Sequence, residues 1–208
     1  MYLRLAFTEG KWFVLPLVIL VFVLGLINPL LGLLPLFVLI FVLYFFRDPQ
    51  RTALEGSDLL LAACDGTVTG IKKIDCDFVG PDSWEVTVFM SPFNVHVNRA
   101  PIKGEVLSSI HKPGRFMHAM NPASPLENEK NVILIQGAVQ VRVVQIAGIV
   151  ARRVVSWVRA GQPVAAGEKI GMIKFSSCTQ VVFPGNCQVE VRPGDKIQAG
   201  LTVIGKLP

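Results

Sequence analysis

Trp84-Glu85-Val86-Thr87-Val88 alternates apolar and polar side chains with a period of two, the spacing of a strand with one buried face. Val139-Gln140-Val141-Arg142-Val143 repeats the pattern. Working outward from these stretches, Leu59–Ala63, Trp84–Met90, Val132–Gln136, Val139–Ile146, Arg152–Val158 and Val189–Arg192 read as short strands set between Gly, Pro, Asn and Asp. Asn121–Asn131 is polar and contains Pro, which predicts a loop. No comparably long segment after Asp48 carries a helical period. The expectation for residues 48–208 is a mainly β domain, barrel-like or sandwich-like.

The amino-terminal part is of another kind. Trp12–Phe46 is a nearly unbroken apolar tract, about 35 residues against the ~20 of one membrane-spanning helix. Asn28, Pro29 and Gly32 sit in its middle as turn formers. The spacing predicts an α-helical membrane hairpin with arms Trp12–Ile27 and Gly32–Phe46, within an anchoring segment of residues 1–47. Each arm would span only roughly 24 Å, so the hairpin would thin the bilayer or enter it without crossing. Arg4 and Lys11 precede the tract and Arg47 and Arg51 follow it. The positive-inside rule then puts both ends, and the β domain, on the cytoplasmic side of the cell membrane. A cleavable leader would have a shorter apolar core and a small-residue cleavage site; neither is present.

The 208 residues are 51% hydrophobic with a formal net charge of +5. The mean hydropathy is +0.52 and the isoelectric point near 9.2. A basic chain suits an anionic membrane surface or an anionic substrate. There is no dense Lys/Arg run and no base-stacking motif, so nucleic acid is not an expected partner. Cys64, Cys76, Cys178 and Cys187 form no CxxC pair, which argues against a metal site and fits a reducing compartment. Ala160–Ile170 and Pro193–Val203 form a weak internal repeat, each reading as turn, strand, turn, strand. The repeat is similar to the half-hammerheads of biotinyl and lipoyl carrier domains. Those modules present a lysine between the halves, whereas Phe175-Ser176-Ser177-Cys178 stands here. The expectation is a shared barrel architecture without carrier function.

Six segments share one resemblance. They are Phe46-Arg47-Asp48-Pro49, Ala63–Val68, Met90–Pro101, His111–Phe116, Glu127–Asn131 and Gly171–Ser177. In this order, behind a hydrophobic hairpin, they resemble the short phosphatidylserine decarboxylase proenzymes, and the likeness covers nearly the whole chain. Archaeal enzymes that decarboxylate an ether-lipid phosphoserine share the pattern, so it leaves the lipid tail open. Two departures stand out: Ser176 replaces a usual Gly and Cys178 a usual Arg.

The resemblance implies a chemistry. Decarboxylating an amino acid leaves electrons on Cα that need a sink, and pyridoxal phosphate or a pyruvoyl group supplies one through a Schiff base to the amine. A small β domain favours a cofactor made from the chain itself. By resemblance the hydroxyl of Ser177 attacks the Ser176 carbonyl, and the chain cleaves into residues 1–176 and 177–208, which stay together as a heterodimer. Ser177 becomes the pyruvoyl group. His96 is implied as the base and Asp65 as its orienting carboxylate. Arg99, His111 and Arg115 are implied binders of the substrate phosphate or carboxylate. The implied activity is conversion of phosphatidylserine to phosphatidylethanolamine and CO2 in phospholipid biosynthesis. The rival reading is an uncleaved, non-enzymatic, membrane-tethered relative.

Overall fold

The computed structural model describes residues 3–115, 117, 127–148, 153–174 and 177–208, with the Ser177 side chain left aside. The chain divides into two compact units, Met1–Gln50 and Arg51–Pro208.

The first unit is helical: α1 (Arg4–Thr8), α2 (Lys11–Ile27) and α3 (Pro29–Phe45). Asn28 separates the two long helices with an extended backbone, and its side chain accepts a hydrogen bond from the Leu30 amide to cap α3. Pro29 occupies the first turn of α3, where its missing N–H costs nothing. Gly32, expected in the turn, lies inside α3 instead. A Cβ there would come within 3.2 Å of the Gly25 backbone, so its bare Cα lets α2 and α3 approach closely. The outer surface is apolar: Trp12, Phe22, Leu26, Leu34 and Phe37 are all exposed. Each long helix has 17 residues. No helix of the described residues is long and apolar enough to cross a membrane.

The second unit is mainly β. An eight-stranded sheet runs β13 (Lys196–Ile197), β2 (Gly66–Cys76), β3 (Gly80–Met90), β11 (Ser177–Phe183), β7 (Gln140–Ala147), β6 (Lys130–Gly137), β5 (Gly104–Lys112), β9 (Gln162–Val164). Two three-stranded sheets accompany it. One runs β1 (Leu59–Leu61), β14 (Val203–Lys206), β12 (Gln188–Val189); the other runs β4 (Val97–Arg99), β10 (Lys169–Lys174), β8 (Arg153–Ser156). The period-two stretches bury their apolar sides as expected: Val86, Val88, Val141 and Val143 join Ile133, Ile135, Val181 and Phe183 in one core. Each such side chain contributes ~1.5–3 kcal/mol by leaving water.

The expected strands correspond to β1, β3, β6, β7 and β8 with shifted ends, whereas Val189–Arg192 meets β12 only at Val189. The predicted loop Asn121–Asn131 stops short of its expected end, because Lys130 and Asn131 pair with Ile146 and Gln145 in the sheet. Residues 121–126 of that loop lie outside the described residues. The repeated segments each use glycine at positive φ in matching places: Gly161 (80°) with Gly194 (98°), and Gly167 (74°) with Gly200 (73°). Only glycine takes that backbone without strain.

Candidate active site

The first three residues of β11 carry the site's frame. Ser177 is opposite Met90 on β3 and Ala147 on β7, so the strand is hydrogen-bonded on both sides from its first residue. Met90 ends β3 and opens the Met90–Pro101 stretch. That stretch turns, and β4 then lies antiparallel to β10, with Val97 opposite Met172. The Ile173 amide donates to the His96 carbonyl at 3.2 Å. The backbone of His96 therefore flanks the strand end that leads, within four residues, to Ser177. Ser176 lies outside the described residues.

His96 is fully buried, and a short closed turn aims its ring. The Asn94 side chain accepts from the Ser91 amide and hydroxyl, both at 2.8 Å, while the Asn94 amide donates to the Ser91 carbonyl. The Asn94 carbonyl lies 3.0 Å from His96 Nδ1. A carbonyl only accepts, so Nδ1 carries the proton of the neutral ring and Nε2 carries the lone pair. That tautomer is the one a general base needs.

Asp65 is buried but does not hydrogen-bond His96 among the described residues. Its carboxylate takes both ends of the Arg51 guanidinium, Nη1 to Oδ1 at 2.5 Å and Nη2 to Oδ2 at 2.7 Å. Oδ1 also accepts from the Ala199 amide at 2.9 Å, and Arg51 Nη1 donates to the Ala199 carbonyl. The pair is nearly closed to solvent, with 8% and 9% side-chain exposure. Arg51, read from sequence as a charge flanking the apolar tract, is thus the counter-ion of a motif carboxylate. It lines a cavity of about 490 Å³ together with Arg99, Lys169 and the Ala165–Glu168 turn. Asp65 lines another of about 560 Å³ with Ser91, Asn94 and Lys196.

The residues expected to bind substrate separate into two kinds. Arg99 is buried and donates from Nη1 to the Gly167 carbonyl at 2.9 Å. His111 and Arg115 are exposed, near Glu129 at 4.0 Å and Glu127 at 3.1 Å respectively. Asn128 connects the Arg115 segment to the β11 frame. Its amide donates to the Met117 carbonyl at 2.8 Å and to the Ala147 carbonyl at 2.7 Å, and Ala147 is the residue opposite Ser177.

The cysteines are free and buried. Burial pushes the Cys178 thiol up to about 12, and it raises Cys64 and Cys187 as well. A protonated thiol is a poor nucleophile, so burial holds Cys178 in an unreactive form. No cluster of three metal-ligating side chains occurs among the described residues. The supporting roles of Arg51, Asn94 and Asn128 were not legible in the sequence. Arg51 and Asn128 act through partners on other elements, whereas Asn94 acts through its neighbours Ser91 and His96.

The geometry can be set beside known proteins. The family model described as phosphatidylserine decarboxylase matches residues 38–205. The phosphatidylserine decarboxylase proenzyme of Carboxydothermus hydrogenoformans is 38% identical over 205 residues, covering 97% of this chain and 96% of the relative. Those of Prosthecochloris aestuarii and Chlorobium phaeobacteroides are 43% and 45% identical, over 84% and 80% of this chain and 81% and 78% of each relative. A match that takes in Asp65, His96 and Ser177, at this identity and over this length, shows that the chain belongs to the phosphatidylserine decarboxylase family.

Proposed function

We propose that this chain is a self-processing decarboxylase that converts phosphatidylserine to phosphatidylethanolamine and CO2. The observation that carries the reading is the seating of Ser177 at the head of β11, beside the stretch that holds His96, in a chain of this family.

Processing follows from the residues. The Ser177 oxygen bonds the Ser176 carbonyl carbon while His96 Nε2 takes the hydroxyl proton. The peptide C–N bond then breaks, its nitrogen is protonated, and an ester remains. Loss of the Ser177 Cα proton expels the Ser176 carboxylate. Water hydrolyses the remaining dehydro residue, ammonia leaves, and residue 177 ends as a pyruvoyl group. The fold suits that product. β11 keeps its pairing to β3 and β7 after the cut, β13 keeps β2, and β14 keeps β1. The fragments 1–176 and 177–208 thus stay joined as a heterodimer. A pyruvoyl group supplies the electron sink for the carbanion left by CO2.

Other residues bind and orient. Arg99, buried beside Arg51 and Lys169, offers positive charge to the head-group phosphate or carboxylate. His111 and Arg115 stand exposed for the same anion. Asp65, clasped by Arg51, lines the same cavity as the Ser91–Asn94 turn that orients His96. Gly161, Gly167, Gly194 and Gly200 support a half-hammerhead-like barrel. The apolar exterior of α2 and α3 supports anchoring in the cytoplasmic face of the cell membrane, without a full crossing by either helix.

The test is CO2 release from phosphatidylserine by the purified chain in detergent, with and without hydroxylamine. Release that hydroxylamine abolishes, by consuming a ketone carbonyl, is the expected result. No release, or release indifferent to the reagent, contradicts the reading.

A further inference from the structure

Beneath β11 lies a buried run of polar side chains with no part in bond making. Asn131 Nδ2, on β6, donates to Gln145 Oε1, on β7, at 3.1 Å. Gln145 Nε2 donates to Asn98 Oδ1, on β4, at 2.9 Å. Asn98 Nδ2 donates to Thr179 Oγ1, on β11, at 3.1 Å, and the Thr179 hydroxyl points its proton at Met90 Sδ, 3.4 Å away. Asn98, Gln145 and Thr179 have no exposed surface, and Asn131 has 3%. Every amide accepts on one side and donates on the other. Reversing one would set donor against donor or acceptor against acceptor, so each neighbour fixes the next.

Two features set this run apart from ordinary satisfaction of buried groups. It crosses between sheets: Asn98 belongs to the β4–β10–β8 sheet, and Thr179, Gln145 and Asn131 belong to the eight-stranded one. It also ends beside the processing chemistry on both strands. Asn98 is two residues past His96, and Thr179 is two residues past Ser177. Apolar contact between sheets is non-directional and tolerates a slide, whereas a hydrogen bond near 3 Å weakens steeply as its angle opens. The run is also seated tightly. A Cβ at Gly171, on β10, would come within 2.7 Å of Gln145 Nε2.

We infer that Asn98 and Thr179 are positioning residues for self-processing. Their hydrogen bond, oriented by Gln145, locks the strand that begins at Ser177 against the strand that follows His96. The inference rests on the proposed cleavage before Ser177. It assigns these two side chains no proton or bond of their own.

The experiment follows cleavage of the full chain by gel after synthesis in vitro in detergent. Thr179→Val keeps the side-chain shape and removes the hydroxyl; Thr179→Ser keeps the hydroxyl. Val181→Ala, at a buried site on the same strand, controls for general loosening. Thr179→Val is expected to slow cleavage at least about tenfold, with Thr179→Ser and Val181→Ala within about threefold of the parent. Thr179→Ala, smaller and without the hydroxyl, replaces Thr179→Val if that variant does not fold. Parental cleavage without the hydroxyl overturns the inference, as does equal slowing by Val181→Ala. A parent chain that stays whole overturns the processing reading and this inference with it.

Discussion

In the helical unit Phe22, Leu26, Leu34 and Phe37 lie outside, while in the β unit Ile133, Ile135, Val141 and Val143 lie inside. The same class of residue therefore carries different information in the two regions. In the helices composition and length say nearly everything, and one small residue, Gly32, sets the close approach. In the β unit composition gives only the layers. The proposed chemistry rests on polar side chains held at fixed distances by partners on other elements. Asp65 with Arg51 and Asn98 with Thr179 are examples.

Four changes test that contrast. Ser177→Ala removes the attacking hydroxyl, so the chain should stay whole and show no decarboxylation; a processed and active variant would refute the assignment. Removing residues 1–47 should abolish sedimentation with membranes yet leave a folded β unit that still cleaves, read by flotation and by gel. Arg51→Ala strands a buried carboxylate and should cost about 3–5 kcal/mol, seen as a lower urea midpoint. A loss below about 1 kcal/mol would mean that Asp65 is solvated and the clasp weak.

The smallest effect is one of pH. The folded Cys178 thiol holds its proton up to about 12, against an ordinary 9.0. The fold binds that proton more tightly than the unfolded chain does, so its contribution is complete below pH 9. It is lost progressively as pH rises from 9 toward 12. Cys178→Ala should flatten the alkaline limb of a stability–pH curve without moving the neutral region in the same way.

How far the sequence carried this reading differs by element. β3 and β7 were legible because apolar and polar side chains alternate over Trp84–Val88 and Val139–Val143, although past Val143 both faces of β7 are buried. β2 was not, because Gly66 and Gly70 interrupt it and bulges shift its register against β3. β5 was hidden likewise, by a bulge between Val106 and Ser108 and a partly wet face. His96, Asp65 and Ser177 were legible as candidates because each sits in a recognisable local stretch. Their supports were not. Gln145 is the instructive case: a fully buried amide inside Val143-Val144-Gln145-Ile146. A polar residue at a core position requires a buried partner, but nothing local says that the partner is Asn98, 47 residues away.

The central claim is that this chain cuts itself before Ser177. Intact mass of the purified full-length protein tests it most directly. The account predicts two species: one of residues 1–176, and one of residues 177–208 whose mass carries a pyruvoyl group in place of an amino-terminal serine. One uncut chain of 208 residues, unchanged after long incubation at neutral pH, would contradict it.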